Sequence, residues 1–220
     1  MKEKESEQNM VNYYSILDSI IHEIDIKKSR FITYLIPIRS EEAFQEHLAA
    51  IRKEHYKATH HCQAFILGED SMIQRMSDDG EPAGTAGVPM LEVLKQEELT
   101  FIMAVVVRYF GGIKLGSGGL IRAYSNAVSE TLKVAQVIKN IDQMMVALEL
   151  RYDQMDRFNY YLSQTQQPIT LHDTQYTDSV TFILAINLEA TEAVHQELTD
   201  RFSGQLEWLE LGQETVDIPV

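Results

Sequence analysis

The chain has 220 residues, 45% of them apolar and 24% charged, and a formal net charge of −14. That length fits one large domain or two small ones, and the composition is that of a globular protein with a real core. The negative balance opposes broad attraction to nucleic acid or anionic membranes, and Cys62, the only cysteine, excludes a disulfide framework or a thiolate metal cluster.

Residues 1–14 read as a polar, partly disordered leader, and the charged start lacks the apolar core of a signal peptide. No apolar run reaches the roughly eighteen residues of a membrane span, so a cytoplasmic protein with no membrane partner is expected. Charge is unevenly spread. Residues 1–138 hold 15 Lys/Arg against 19 Asp/Glu, whereas residues 139–220 hold 4 against 14. The first part is the better host for an anion.

Residues 15–138 read as an α+β domain. Ile20, His22, Ile24 and Ile26 alternate, as do Phe31, Thr33 and Leu35 against Ile32, Tyr34 and Ile36, which predicts two strands. Ser40 is a suitable N-cap, followed by Glu41 and Glu42 at the positive end of the dipole, and Phe44, Leu48, Ile51 and His55 recur at helical spacing. Cys62–Leu67 predicts a strand that Met72–Met76 can pair with. A short helix begins near Pro89. Phe101–Val107 is unbroken apolar sequence, as in a strand buried on both faces. Ser117 then predicts the cap of a long helix packed through Leu120, Ile121, Tyr124, Val128 and Leu132.

Near Lys139-Asn140 the pattern restarts, and residues 141–215 form a second module. Met144 to Tyr152 alternates as a strand, Asp153 can cap a helix, and Pro168 blocks its continuation. Ile169–Tyr176 and Val180–Leu188 predict strands, Thr191 can cap a second helix that Gly204 stops, and Leu206–Leu211 closes with a strand. The order β-α-β-β-α-β is the ferredoxin-like, split-βαβ arrangement.

Nine of the eleven glycines lie between Gly68 and Gly119, so unusual backbone geometry is concentrated there. The stretch Ser77-Asp78-Asp79-Gly80-Glu81-Pro82-Ala83-Gly84-Thr85-Ala86-Gly87 is turn chemistry. Asp78, Asp79 and Glu81 could also hold Mg²⁺ or divide acid and base roles. No second ligand set at diagnostic spacing supports a metal, so the turn is favoured and no metal or cofactor is expected.

A second stretch, Arg108 to Tyr124, runs from the buried strand through a flexible turn into a helix start. Backbone N–H groups at Gly111, Gly112, Gly116, Ser117, Gly118 and Gly119 could receive a phosphate beside Arg108, Lys114 and Arg122. It is neither a Walker A loop nor a dinucleotide fingerprint. The alternative is a tight, closely packed strand-to-helix turn, and both readings stand. Aromatic residues beside it, including Tyr109, Phe110 and Tyr124, read as core rather than as stacking surfaces. His60 and His61 enter a strand and point to opposite faces, so they chelate poorly, and one of them faces the glycine surface. Cys62 beside His61 is a poor nucleophile–base pair, and Cys is commonly a buried small hydrophobe.

These stretches, together with Lys28-Ser29-Arg30-Phe31 and Ala58-Thr59-His60-His61-Cys62, resemble the signature of the YigZ/IMPACT family. The similarity covers roughly residues 15–215. It implies an N-terminal domain with the fold of the second domain of ribosomal protein S five, and a C-terminal ferredoxin-like domain. Eukaryotic members of that family act in translational control through an additional N-terminal domain that these residues do not include, so only a link to translation is implied. The resemblance supplies no catalytic residues.

The function expected from this reading is a non-enzymatic, translation-associated protein that contacts RNA, a ribosome or a protein partner. Contact would be made through the surface of His60, His61, Asp78, Asp79, Gly80, Glu81 and the Gly111–Gly119 turn. Two alternatives compete with it. One is a protein-interaction module without a small-molecule site. The other is an enzyme acting on a phosphorylated or nucleotide-like molecule, which requires His60, the acids and the turn to converge.

Overall fold

The computed structural model describes residues 12–220. The leader lies outside them as far as residue 11, while Tyr13 and Tyr14 belong to the first strand, β1 (Tyr13–Ile16). Two compact units divide the described chain: Tyr13–Lys139 with Asp217–Val220, and Asn140–Val216 with Asn12. No helix among the described residues is long and apolar enough to cross a membrane.

The first unit is built on β2 (Ile20–Ile26), β3 (Ser29–Pro37), β4 (His60–Leu67), β5 (Ile73–Ser77) and β6 (Ile102–Tyr109). They lie in the order β2-β3-β6-β4-β5, with every neighbour antiparallel. β6 is central, which explains its unbroken apolar run. Ile102, Ala104 and Val106 enter one core, and Met103, Val105 and Val107 enter the other. The second of these cores receives Phe44, Leu48 and Ile51 from α1 (Glu41–Glu54), whose expected cap holds: Ser40 Oγ accepts from Ala43 N–H at 3.2 Å. The first receives Met90 and Leu94 from α2 (Gly87–Gln96) and Leu120, Tyr124 and Val128 from α3 (Ser117–Leu132).

Two expectations for α3 are corrected. Ser117 is the first helical residue, not the cap; Gly116, at φ 72°, takes the cap position and accepts Leu120 N–H at 2.9 Å. A left-handed backbone is open to glycine at no steric cost, so the residue before Ser117 ends the loop. Ile121 is not packed but 42% exposed. It stands about 100° around the helix from Leu120, and the buried stripe runs instead through Ala123, Tyr124, Ala127 and Val128.

The second unit contains most of β7 (Val137–Leu150) and of β10 (Glu207–Pro219), with α4 (Met155–Gln164), β8 (Ile169–Tyr176), β9 (Val180–Asn187) and α5 (Thr191–Arg201) between them. Its sheet order is β10-β7-β9-β8, the ferredoxin-like order expected. Val146, Leu148, Phe182 and Leu184 meet Phe158, Val194 and Leu198 of the two helices in one core. Neither expected cap forms. Asp153 lies in a 3₁₀ turn and pairs with Arg151 at 2.8 Å, and Thr191 is already helical after a second 3₁₀ turn. Gly204 does end α5: at φ 72° its N–H donates to Thr199 O at 2.8 Å.

Candidate functional site

In the first unit, antiparallel register sets His60 opposite Arg108, so the start of β4 and the end of β6 meet at one end of the inner strands. The loop after β5 and the turn before α3 close over that end. Each polar residue there has a distinct task.

Asp78 organises its own loop. Its Oδ1 accepts the N–H groups of Ala86 and Gly87, both at 2.9 Å, and its Oδ2 accepts Gly84 N–H at 2.8 Å. Burial alone would raise this carboxyl, but the three backbone donors outweigh burial and hold it below its ordinary value. A depressed carboxylate stabilises the fold above its ordinary value of 3.8, and that contribution is lost as pH falls through the lowered one. Asp78→Ala is expected to cost about 2 kcal/mol at neutral pH. Urea midpoints followed from about pH 6 to about pH 2 should then fall less steeply in the variant than in the wild type.

Asp79 takes a positive φ of 43° and turns its carboxylate away from that loop. It receives Arg52 at 2.8 Å and the His61 N–H at 2.6 Å. Glu81 points inward and is only 8% exposed. The three carboxylates therefore diverge, and they do not form one ligand set.

Glu81 Oε1 accepts Arg108 Nη1 at 2.5 Å and Tyr124 Oη at 2.8 Å. Arg108, 5% exposed, also reaches Ser29 Oγ at 3.4 Å and stands 5.4 Å from the Phe31 ring centre and 5.6 Å from that of Phe110. Its Nε has no partner. Beneath this pair, Cys62 is fully buried, with its Sγ 3.0 Å from Asp78 O and 3.3 Å from Tyr124 Oη. Burial pushes the thiol up to about 12, so Cys62 is no thiolate nucleophile. Burial likewise raises Tyr124, which stays a neutral donor.

The adjacent histidines face opposite ways, as strand alternation requires. His61 is buried and donates from Nε2 to His55 O at 3.1 Å; burial lowers its basicity. His60 donates from Nδ1 to Asp79 O at 2.8 Å, which directs its other nitrogen toward Glu81 Oε2, 3.8 Å away. Gly80 takes φ 87°, which favours glycine, and a Cβ there would make only ordinary contact with that ring, 3.5 Å from His60 Nδ1.

Above the buried pair opens a cleft of about 460 Å³ bounded by Thr59, His60, Glu81, Phe110, Lys114 and Ser117. Its far wall is the N-terminus of α3, where no side chain caps the first turn. The N–H groups of Ser117, Gly118 and Gly119 belong to that turn and have no acceptor within the helix. Gly112, Lys114, Gly116, Ser117 and Gly118 are exposed, and Gly111 is half-buried, with its N–H bonded to Ser29 Oγ at 3.2 Å. Among the residues expected to receive an anion, Arg108 is committed to Glu81, and Arg122 borders a separate groove rather than this cleft. Sequence reasoning missed Ser29 and Thr59 and misplaced one aromatic residue. Phe110 was expected in the core and is 47% exposed, while Tyr124 is core but also a donor to the site. The Gly-Gly directly after Phe110 was the available sign that the strand had already ended there.

The four signature stretches all fall inside residues 27–132, which match the Impact N-terminal domain. Residues 148–205 match a domain of unknown function, DUF1949. An IMPACT family member of Bacillus subtilis, YvyE, is 41% identical over 194 residues, 88% of each chain. One from Haemophilus influenzae is 40% identical over 208 residues, 93% of this chain and 100% of its own. A crystal structure described as that of a hypothetical protein aligns with a TM-score of 0.57 at 34% identity, covering 91% of this chain and 97% of its own. By identity sustained across both units, the chain belongs to the IMPACT family.

Proposed function

We propose that this protein is a non-enzymatic, translation-associated factor that contacts ribosomal RNA through the cleft at the N-terminus of α3. One observation carries the reading. The uncapped first turn of α3, Lys114 and His60 border the same cleft, and the one carboxylate there, Glu81, is buried and neutralised by Arg108. Such a surface favours a phosphate although the whole chain is acidic. The link to translation is drawn from the family. The acids that an enzyme would need are committed elsewhere: Asp78 to backbone N–H groups, Asp79 to Arg52 and His61.

The test is co-sedimentation with ribosomes and labelled ribosomal RNA over a salt series. Wild type should associate at low salt and release as salt rises. Gly118→Asp separates binding from folding. A Cβ at Gly118 meets only Arg122 Nη1, at 3.6 Å, and an acid in the first turn is worth about 0.5 kcal/mol to the helix. Stability should therefore hold while association weakens about tenfold, because the carboxylate occupies the anion's place. Lys114→Gln should weaken association and flatten the salt dependence. No salt-sensitive association of the wild type would remove the reading.

A further inference from the structure

A second groove, of about 630 Å³, runs between the β2–β3 turn and the exposed flank of α3. It shares Leu115 with the cleft described above, so the two openings adjoin beside the first turn of the helix. Lys27, Arg122, Ser125, Asn126 and Ser129 line it, and no Asp or Glu does. In a chain of net charge −14, a groove without carboxylates is a selective departure from the rest of the surface.

Its cations are unspent. Arg30, Arg52, Arg75, Lys95, Arg108 and Lys133 of the same unit are all in ion pairs. Among the described residues of the unit, Lys27, Lys28, Lys114 and Arg122 are in none; nor are Arg39, Lys53, Lys57 and Lys139, which line neither opening. Lys27 and Lys28 are also placed against local preference. They form the two-residue β2–β3 turn at φ 47° and 68°, a conformation suited to Asn-Gly rather than to two lysines.

At the other end of this surface, Phe110 is 47% exposed on the wall of the cleft. An exposed ring beside a cationic wall suits an unpaired base, whereas the bases of a duplex are already stacked and are presented only by their edges. From Ser117 to Ser129 the flank of α3 spans about 18 Å, enough for several nucleotides.

We propose that cleft and groove are one track for a single strand of RNA. A phosphate sits at the first turn of α3 beside Lys114, an adjoining base stacks on Phe110, and the following phosphates pass Arg122 and Lys27. Ser125, Asn126 and Ser129 offer neutral hydrogen bonds along the way. The track rests on the RNA reading above and adds to it a strandedness and a direction across the surface.

The experiment is fluorescence anisotropy with a labelled single-stranded oligouridylate of about twelve nucleotides, against a duplex RNA of equal length. The single strand should bind more tightly. Lys27→Gln and Arg122→Gln should each weaken it several-fold and reduce the salt slope by about 0.7. Phe110→Leu should weaken it about tenfold with the salt slope unchanged. Lys53→Gln, exposed in the last turn of α1, should bind like wild type. The track is overturned if duplex binds as tightly as single strand, or if the Lys27 and Arg122 variants match wild type while Lys114→Gln is weakened; either outcome leaves the phosphate cleft standing. Ribosome association without any oligonucleotide binding also overturns the track alone. Failure of wild type to bind ribosomes, ribosomal RNA and oligonucleotide removes both.

Discussion

Glu81→Ala is expected to destabilise the first unit by about 3–5 kcal/mol in urea or guanidinium unfolding. The substitution leaves the Arg108 guanidinium at 5% exposure with its charge uncompensated, and it removes the acceptor for Tyr124 Oη. An isolated buried cation is far more costly than the pair is favourable, because desolvation is no longer offset by the neighbouring carboxylate. The double variant Glu81→Gln, Arg108→Met decides whether charge is the cause. Gln keeps an acceptor for Tyr124, and Met fills the space beside Phe31 without a charge. Most of the lost stability should return. If the double variant is as unstable as Glu81→Ala, the pair acts through shape rather than charge, and the neutral floor assigned to the cleft loses its basis.

That pair was invisible in the sequence for a physical reason. Glu81 and Arg108 stand 27 positions apart, on a loop and a central strand, and no periodicity connects them. Features set by periodicity were legible. The apolar run of β6 announced burial on both faces, and the alternation of β7 and β9 with two amphipathic helices announced the ferredoxin-like unit. The divergence of His60 and His61 followed from the two-residue repeat of a strand. Helix starts were less legible, since Ser117, Asp153 and Thr191 all look like caps by residue type. The chain enters α3 through a left-handed Gly116, and it enters α4 and α5 through 3₁₀ turns, so the helix begins before a capping side chain is needed. The extent of β10 was missed because its residues beyond Leu211 are largely exposed and carry little apolar alternation. At the site, glycine density marked stretches that the fold brings beside one cleft but could not tell their side chains apart. Arg108 and Arg122 look alike in sequence, yet one is a buried counter-ion and the other borders a groove.

Gly111→Ala is expected to be the most damaging glycine substitution in this surface, costing at least about 3 kcal/mol. A Cβ at Gly111 would lie 1.9 Å from Lys28 O and 2.1 Å from its carbonyl carbon, so backbone and not a flexible side-chain tip must move. The neighbouring Gly112 makes the internal control. Its φ is +84°, but a Cβ there meets nothing within 4 Å, so Ala should cost only the left-handed penalty of about 1 kcal/mol. The contrast separates close approach from backbone conformation, two reasons for glycine that look identical in sequence. It also bears on binding, because the segment that Gly111 presses against is the Lys27-Lys28 turn. Pushing that turn away shifts two unpaired cations relative to the first turn of α3. Gly111→Ala protein that stays folded at low temperature should therefore lose oligonucleotide affinity together with stability, whereas Gly112→Ala should lose little of either. Equal stability of the two variants would mean that the turn and the glycine loop are not clamped together, and the cations would then owe their positions to something else.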